Sequence, residues 1–352
     1  MTDFTYIPPW VLSNGFVMTL FTAFKGERIA QPDFEPEPPY QPHIFMGAQG
    51  VPIFGLVAIP KHARSTIIAT YGITGSLEDQ WQLKVLARKA FEQGYAIVLF
   101  DWRAHGKTAT LSPTLTSDGL YEGEDFVRIA AAAKTLGCPA PFWFTAYSLG
   151  GQLALWAIKA AQTVSEWGKE VGIDESEIGG GAVICPTLES QRSLNYLVKS
   201  ALGQQLERAI ARQLKSLAWQ IHQHHPDTIN PKAIDRVNSI WSFDQELVIQ
   251  QLGFSSVESY YQATSGLYQL PHLQKPTLII YAADDPMFDP TLAPELQTVC
   301  SANSHIDLIL TAKGGHVGYV SNKICQKQMQ DRDRWWAWNR VLDWIACQET
   351  NS

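Results

Sequence analysis

The chain has no pair of cysteines at CxxC spacing. Its five cysteines (Cys138, Cys185, Cys300, Cys325 and Cys347) are odd in number and widely spread, so neither a disulfide framework nor a cysteine-based metal site is indicated. Long hydrophobic runs are scarce too. The apolar run Phe16–Phe24 is nine residues long and broken by threonines, too short to span a bilayer. Positive charge is in deficit: 27 Lys and Arg against 34 Asp and Glu leave a net charge of −7, which argues against a nucleic-acid partner. No basic leader follows Met1 and no small-residue cleavage site is visible, so a cytoplasmic protein without an integral membrane segment is the expectation. Internal repeats and low-complexity tracts are missing, and nothing in the pattern speaks to oligomeric state.

What remains is an ordinary globular composition, 45% apolar over 352 residues. That length exceeds the usual single compact core and predicts a main domain with a sizeable insertion. Residues 1–49 read as an irregular arm packed on the core. Pro8, Pro9 and the proline-rich 31–42 cannot continue a helix or a central strand, while Phe16, Phe21, Phe24 and Phe34 ask for burial. From Val51 onward, short β-branched runs alternate with helical patterns: Ser65–Thr70, Tyr95–Phe100, Gly181–Cys185, Thr277–Tyr281 and Ile306–Leu310. Helices are expected at about Leu77–Gln93 and Gly119–Leu136, each closed by a glycine, and at about Gln328–Cys347. The fold class is α/β, a doubly wound, mostly parallel sheet. Core segments over 50–188 and 274–352 bracket about 85 residues, 189–273, too long for one crossover and read as an inserted helical cap. Its aromatics (Trp219, Trp241, Phe243, Phe254, Tyr260, Tyr261 and Tyr268) would line an apolar acyl site or glue cap to core.

One stretch carries the chemistry. Pro141–Ala161 runs from an aromatic strand through a tight turn holding Ser148 into good helix formers. A small-x-Ser-x-Gly turn between strand and helix lifts the serine hydroxyl into the open and aims a helix N-terminus at any oxyanion formed there. Ala146 and Gly150 are the small flanking residues. A serine needs a base and an acid to orient that base. Among nine histidines, His316 lies in a glycine-flanked loop beyond the last strand, at the sheet's active edge. His305 opens that strand at its far end, and His222, His224 and His225 have no partner at ligand spacing. His43, His62 and His272 lack context, and His105 follows a strand end and could line the site, though it reads better as a bystander. The acid belongs after the penultimate strand, where Asp285 is best placed, with Asp284 and Asp289 as alternates. Oxyanion donors fall on the N–H of Leu149, directly after the serine, and of Ile73, in the turn Tyr71–Gly75. HGKT at 105–108 lacks the earlier glycine of a phosphate-binding loop, and the glycines at 179–181 precede a strand instead of opening a helix.

These motifs resemble those of the YheT-like branch of the α/β-hydrolase superfamily, bacterial relatives of the abhydrolase-domain lipases. The matching stretches are YGITG, FDWRAHG, AYSLGG, FDQELVIQQLGFSSVESYYQATS, AADDP and GGHVGY, with IPPWVLSNGFVMTL at the start; together they cover nearly the whole chain. Tyr71 stands where the family has histidine, and Ala146 where it has glycine. The resemblance implies a triad of Ser148, Asp285 and His316 that hydrolyses short- to medium-chain carboxylic esters, with a small-molecule ester or lipid as partner and no cofactor or metal. Two other readings use the same residues: a non-catalytic lipid- or partner-binding protein, and an acyltransferase with an alcohol acceptor.

Overall fold

The computed structural model describes residues 5–34 and 36–351, the side chains of residues 32, 34 and 351 excepted. The burial asked of Phe34 lies outside the described residues. Eight strands form one sheet: β1 (Gln41–Met46), β2 (Pro52–Ala58), β3 (Ser65–Ala69), β4 (Tyr95–Phe100), β5 (Phe142–Tyr147), β6 (Ile178–Ile184), β7 (Thr277–Ala282) and β8 (Ile306–Thr311). Their order is β1-β2-β4-β3-β5-β6-β7-β8. β3 to β8 run parallel, while β2 is antiparallel to both β1 and β4. β3, β4, β5 and β7 are buried at every position, which is why they read as unbroken apolar runs and do not alternate. Helices Trp81–Glu92, Glu122–Thr135, Leu149–Ala161, Leu292–Ser301 and Trp336–Asn351 complete the layers. The chain leaves β3 toward β4 and then crosses back to β5, so a crevice opens beyond the C-terminal ends of β3 and β5.

The opening segment departs from the irregular arm that its prolines suggest. Gly15–Ala30 is a helix, capped by Asn14, whose side chain accepts the N–H of Val17 at 3.1 Å. Its buried stripe is Gly15, Met18, Thr22, Gly26 and Ala30, almost all small, whereas Phe24 is 78% exposed and Phe16 and Phe21 are half-buried. Close approach explains the stripe: a Cβ on Gly26 would sit 2.3 Å from the Trp81 ring, and one on Gly15 2.0 Å from the Asp284 carbonyl. Pro42 lies within β1, an edge strand, where a missing N–H is tolerated.

Other boundaries shift by a few residues. The turn after β3 delays its helix to Trp81, and the helix expected from Gly119 begins at Glu122. The glycines at 179–181 lie inside β6, where they make room for the Trp143 ring and the Phe144 carbonyl. The last helix starts at Trp336, because Trp335 bridges to Val320. Trp335, Trp336 and Trp338 are buried in the main core.

Between β6 and β7 the chain forms helices Ser190–Leu197, Ala201–His224, Pro231–Arg236, Ile240–Phe243 and Val257–Thr264. Ile210, Leu214, Leu217 and Ile221 make one helical face of Ala201–His224. That face joins Ile234, Phe243, Val248 and Tyr261 in an apolar cluster that also takes in Ala104, Ala109 and Leu115 from the loop beyond β4. These helices therefore stand over the C-terminal rim of the sheet. Among the described residues no helix is long and apolar enough to cross a membrane.

Candidate active site

Ser148 follows β5 directly, with φ 56° and ψ −132°, a conformation that non-glycine residues adopt at a cost of order 1–3 kcal/mol. The turn is held by Ser148 N–H donating to Ile184 O at 3.1 Å, while Ser148 O accepts from Gly151 and Thr187 at 2.9 and 3.1 Å. Its tightness dictates the flanking residues. A Cβ at Gly150 would stand 2.1 Å from the Tyr71 carbonyl but 3.4 Å from the Ala146 methyl, so glycine is obligatory at 150 and alanine fits at 146. A Cβ at Gly72 would come within 2.8 Å of Ser148 Cβ, so the turn after β3 passes hard against the serine. Ile73 and Leu149 line one cavity together with Ser148.

His316 reaches the serine from the loop after β8. Its Nε2 lies 2.9 Å from Ser148 Oγ, and its Nδ1 lies 2.8 Å from Asp285 Oδ2. Asp285, from the loop after β7, is buried, and its other oxygen accepts the Met287 N–H at 2.8 Å. The two alternate carboxylates have other partners. Asp284 Oδ1 accepts the Gly315 N–H at 2.9 Å and shapes the histidine loop; burial raises its pKa. Asp289 accepts from the Thr291 hydroxyl and N–H, which lower its pKa. Phe288 meets the His316 ring edge-on at 5.0 Å.

Three residues have roles that the sequence alone does not give. Thr19, on the N-terminal helix, accepts the His316 N–H on Oγ1 at 2.8 Å. Its signal lay in the opening segment's similarity to the family, not in any local pattern. His105 is not a bystander: Nε2 accepts the Thr74 N–H at 3.1 Å, and Nδ1 lies 2.9 Å from the Arg103 carbonyl. It thereby pins the turn that carries Ile73. Burial, partly offset by the Arg103 carbonyl, lowers its pKa to about 4, so its ring stays neutral. Tyr71 donates to Asp101 Oδ1 at 2.6 Å, and Asp101 also accepts the N–H groups of Leu77 and Lys107 at 2.8 and 2.9 Å. Burial raises the Asp101 pKa, opposed by those three donors. A Cβ at Gly106 would lie 2.3 Å from that carboxylate, which accounts for the glycine of HGKT.

The remaining histidines stay apart from the serine. His222 and His224 bond the carbonyls of Ile229 and Gln220, His225 caps their helix, and His305 lies at the start of β8. Among the described residues no group of three or more His, Cys, Asp or Glu is arranged to hold a metal ion. Arg103, of the FDWRAHG motif, is fully buried and forks onto Asp125 at 2.7 and 2.9 Å, a tie between the loop after β4 and the next helix.

Two spaces meet at Ser148. One is a half-open, mostly apolar cavity under the helices of 190–264, lined by Leu194, Ile210, Leu214 and Phe243 among others; of the seven aromatics the sequence offered, Phe243 and Tyr261 reach it. Tyr268 is largely exposed, and Trp219, Trp241 and Phe254 pack against the apolar cluster. The other is a wide, open groove lined by Gly72, Thr74, Gln213 and Val317. His316 lines the groove and not the cavity.

Comparison with known proteins agrees with this arrangement. Residues 72–323 match the family model described as "Alpha/beta hydrolase family". A protein of Synechocystis that bears the name "Putative esterase slr0264" is 53% identical over 97% of this chain and 94% of its own length. YheT of Escherichia coli is 27% identical over 59% of this chain and 55% of its own. The esterase Pf2001 of Pyrococcus furiosus shares the fold, with a TM-score of 0.51 and 17% identity over 94% of this chain and 96% of that one. A sheet with this strand order, a serine in a strained turn after β5, and a family match over most of the length lead to one conclusion: the chain belongs to the alpha/beta hydrolase family.

Proposed function

We propose that the protein is a serine hydrolase of carboxylic esters acting through an acyl-enzyme on Ser148. The observation that carries this reading is the imidazole of His316 bridging Ser148 Oγ and Asp285 Oδ2 at 2.9 and 2.8 Å. In the proposed reaction Ser148 Oγ attacks the ester carbonyl as its proton passes to His316 Nε2. Asp285 accepts the Nδ1–H and stabilises the imidazolium. The N–H groups of Ile73 and Leu149 receive the oxyanion, at the start of a helix whose dipole favours negative charge. Collapse expels the alcohol with the proton from His316. Water then attacks the acyl-enzyme with the same base, and the carboxylic acid leaves.

On this reading the leaving alcohol lies beside the histidine that protonates it, in the groove that His316 lines, and the acyl chain lies in the apolar cavity, a division that the lining of the two spaces supports. The esterase names of relatives support an ester as the substrate. No step calls on a cofactor. The test is fluorophosphonate labelling of wild type and Ser148→Ala, with p-nitrophenyl esters of increasing chain length. Labelling confined to Ser148, and turnover lost in the variant, are expected; labelling elsewhere or undiminished turnover overturns the reading.

A further inference from the structure

The cavity beneath the helices of 190–264 is apolar over most of its wall, yet it holds polar groups that the proposed reaction does not use. Asp118 and Asp244 both line it, and each is 6% exposed. Asp118 comes from the turn before helix Glu122–Thr135, and Asp244 from the segment following helix Ile240–Phe243. Asp118 Oδ1 accepts from Thr116 Oγ1 at 3.2 Å, and Asp244 Oδ2 accepts from the Tyr261 hydroxyl. Two further lining residues, Trp102 and Ser193, each carry a buried polar atom with no partner among the described residues: Trp102 Nε1, on a fully buried ring, and Ser193 Oγ. Orphaned buried donors are costly, and a site built around them is completed by a ligand that pairs with them.

The chemistry of that ligand follows from the groups present. Burial pushes the Asp118 carboxyl up to about 7, helped by Glu122, and raises Asp244 well above the usual range, helped by Asp118. Burial thus favours the protonated form of both carboxyls, in which they offer donors and acceptors together. An anion would face acidic groups, and a cation would have to be stripped of water inside an apolar wall. A hydroxyl is neutral and is itself both donor and acceptor.

We infer that the cavity takes an acyl chain bearing a hydroxyl group, recognised by Asp118 and Asp244 with Trp102 Nε1 and Ser193 Oγ as further hydrogen-bonding partners. This rests on the proposed ester hydrolysis for the identity of the chain, but its binding step is separable from turnover.

The experiment has two arms. Calorimetric titration of the Ser148→Ala protein with 1-octanol and with octanediols carrying the second hydroxyl at successive positions reads recognition without catalysis. At least one diol is expected to bind about tenfold or more tightly than 1-octanol, an advantage lost when Asp244→Leu is added and reduced by Ser193→Ala. Turnover of p-nitrophenyl octanoate against hydroxyoctanoates by wild type is expected to show the same position preference as a lower KM at similar kcat. Equal or weaker binding of every diol overturns the inference, as does an advantage that survives Asp244→Leu in a variant with unchanged circular dichroism. If that variant does not fold, an advantage unmoved by Ser193→Ala overturns it. Absence of labelling and turnover with a clear diol preference would instead remove the hydrolase reading and leave the binding site.

Discussion

The backbone N–H of His316 donates to Thr19 Oγ1 at 2.8 Å, joining residues 297 positions apart in the chain. The Thr19 hydroxyl itself donates a hydrogen bond to the Gly15 carbonyl at 2.7 Å, and that same carbonyl lies 2.4 Å from where a Cβ on Gly315 would stand. The N-terminal helix is thus fitted to the loop that carries the imidazole. Thr19→Val keeps the shape but removes the acceptor, orphaning a part-buried N–H at about 1–3 kcal/mol. We expect kcat on p-nitrophenyl esters to fall roughly 5- to 100-fold with KM little changed, and Thr19→Ser to recover most of it. Wild-type kcat in Thr19→Val would mean that the loop is set by Asp284 and glycine alone.

His105 supplies a pH test. In the fold its pKa is about 4, against about 6.5 for an exposed imidazole. Between those values the unfolded chain binds more protons, so the stability due to this residue rises with pH and is lost as pH falls from about 6.5 toward 4. The loss amounts to about 2 kcal/mol between pH 7.5 and pH 5. Buried carboxyls such as Asp125, raised to about 6 chiefly by burial, titrate in the opposite sense. The comparison is therefore urea unfolding of wild type against His105→Gln, in which those contributions are shared. The stability difference between the two proteins should shift by that amount in the variant's favour at pH 5, and a pH-independent difference would refute the assignment.

Gly150 and Ala146 should respond in opposite ways. Gly150→Ala drives a methyl into the Tyr71 carbonyl, which belongs to the backbone and has nowhere to move. Destabilisation of about 1–3 kcal/mol and loss of most esterase activity are expected. Ala146→Gly removes one buried methyl and creates no clash, and activity within about twofold of wild type is expected. Chemical denaturation and initial rates on the two purified variants decide it.

Tyr71→Phe deletes one of three donors to the buried Asp101 carboxylate. The cost expected in urea unfolding is about 1–3 kcal/mol, with a smaller effect on kcat, since the Leu77 and Lys107 bonds still hold the turn. A loss in activity much larger than the loss in stability would place the tyrosine hydroxyl closer to the reacting atoms than its bond to Asp101 indicates.

The parallel strands and the strand–turn–helix around Ser148 are legible because burial on both faces and the clash limits of the turn leave few residue types to choose from. The order Ser148, Asp285, His316 is legible for a similar reason, since each sits just beyond the C-terminal end of a strand. The N-terminal helix is not legible. Its packing face is made of Gly15, Gly26 and Ala30, while Val17 and Phe24 face outward, so the hydrophobic pattern points the wrong way. Nor does sequence reveal that His105 and Thr19 serve backbone N–H groups, because such bonds depend on where distant loops meet. Sequence ranks Asp285 ahead of Asp284 and Asp289 but does not exclude those two, for the same reason. Three neighbouring carboxylates separate only once their partners, Gly315, His316 and Thr291, are in place.

The union of Thr19 with His316 bears on synthesis. Helix Gly15–Ala30 leaves the ribosome well before its partners, since the surfaces of Asp284, Gly315 and Gly318 that receive Gly15 and Met18 are made close to 300 residues later. At ~5–20 residues per second, that leaves about 15–60 s with Met18 unshielded beside Phe21 and Phe24. This nascent stretch is where a chaperone would be most useful, and where a slowed translation rate would most increase aggregation.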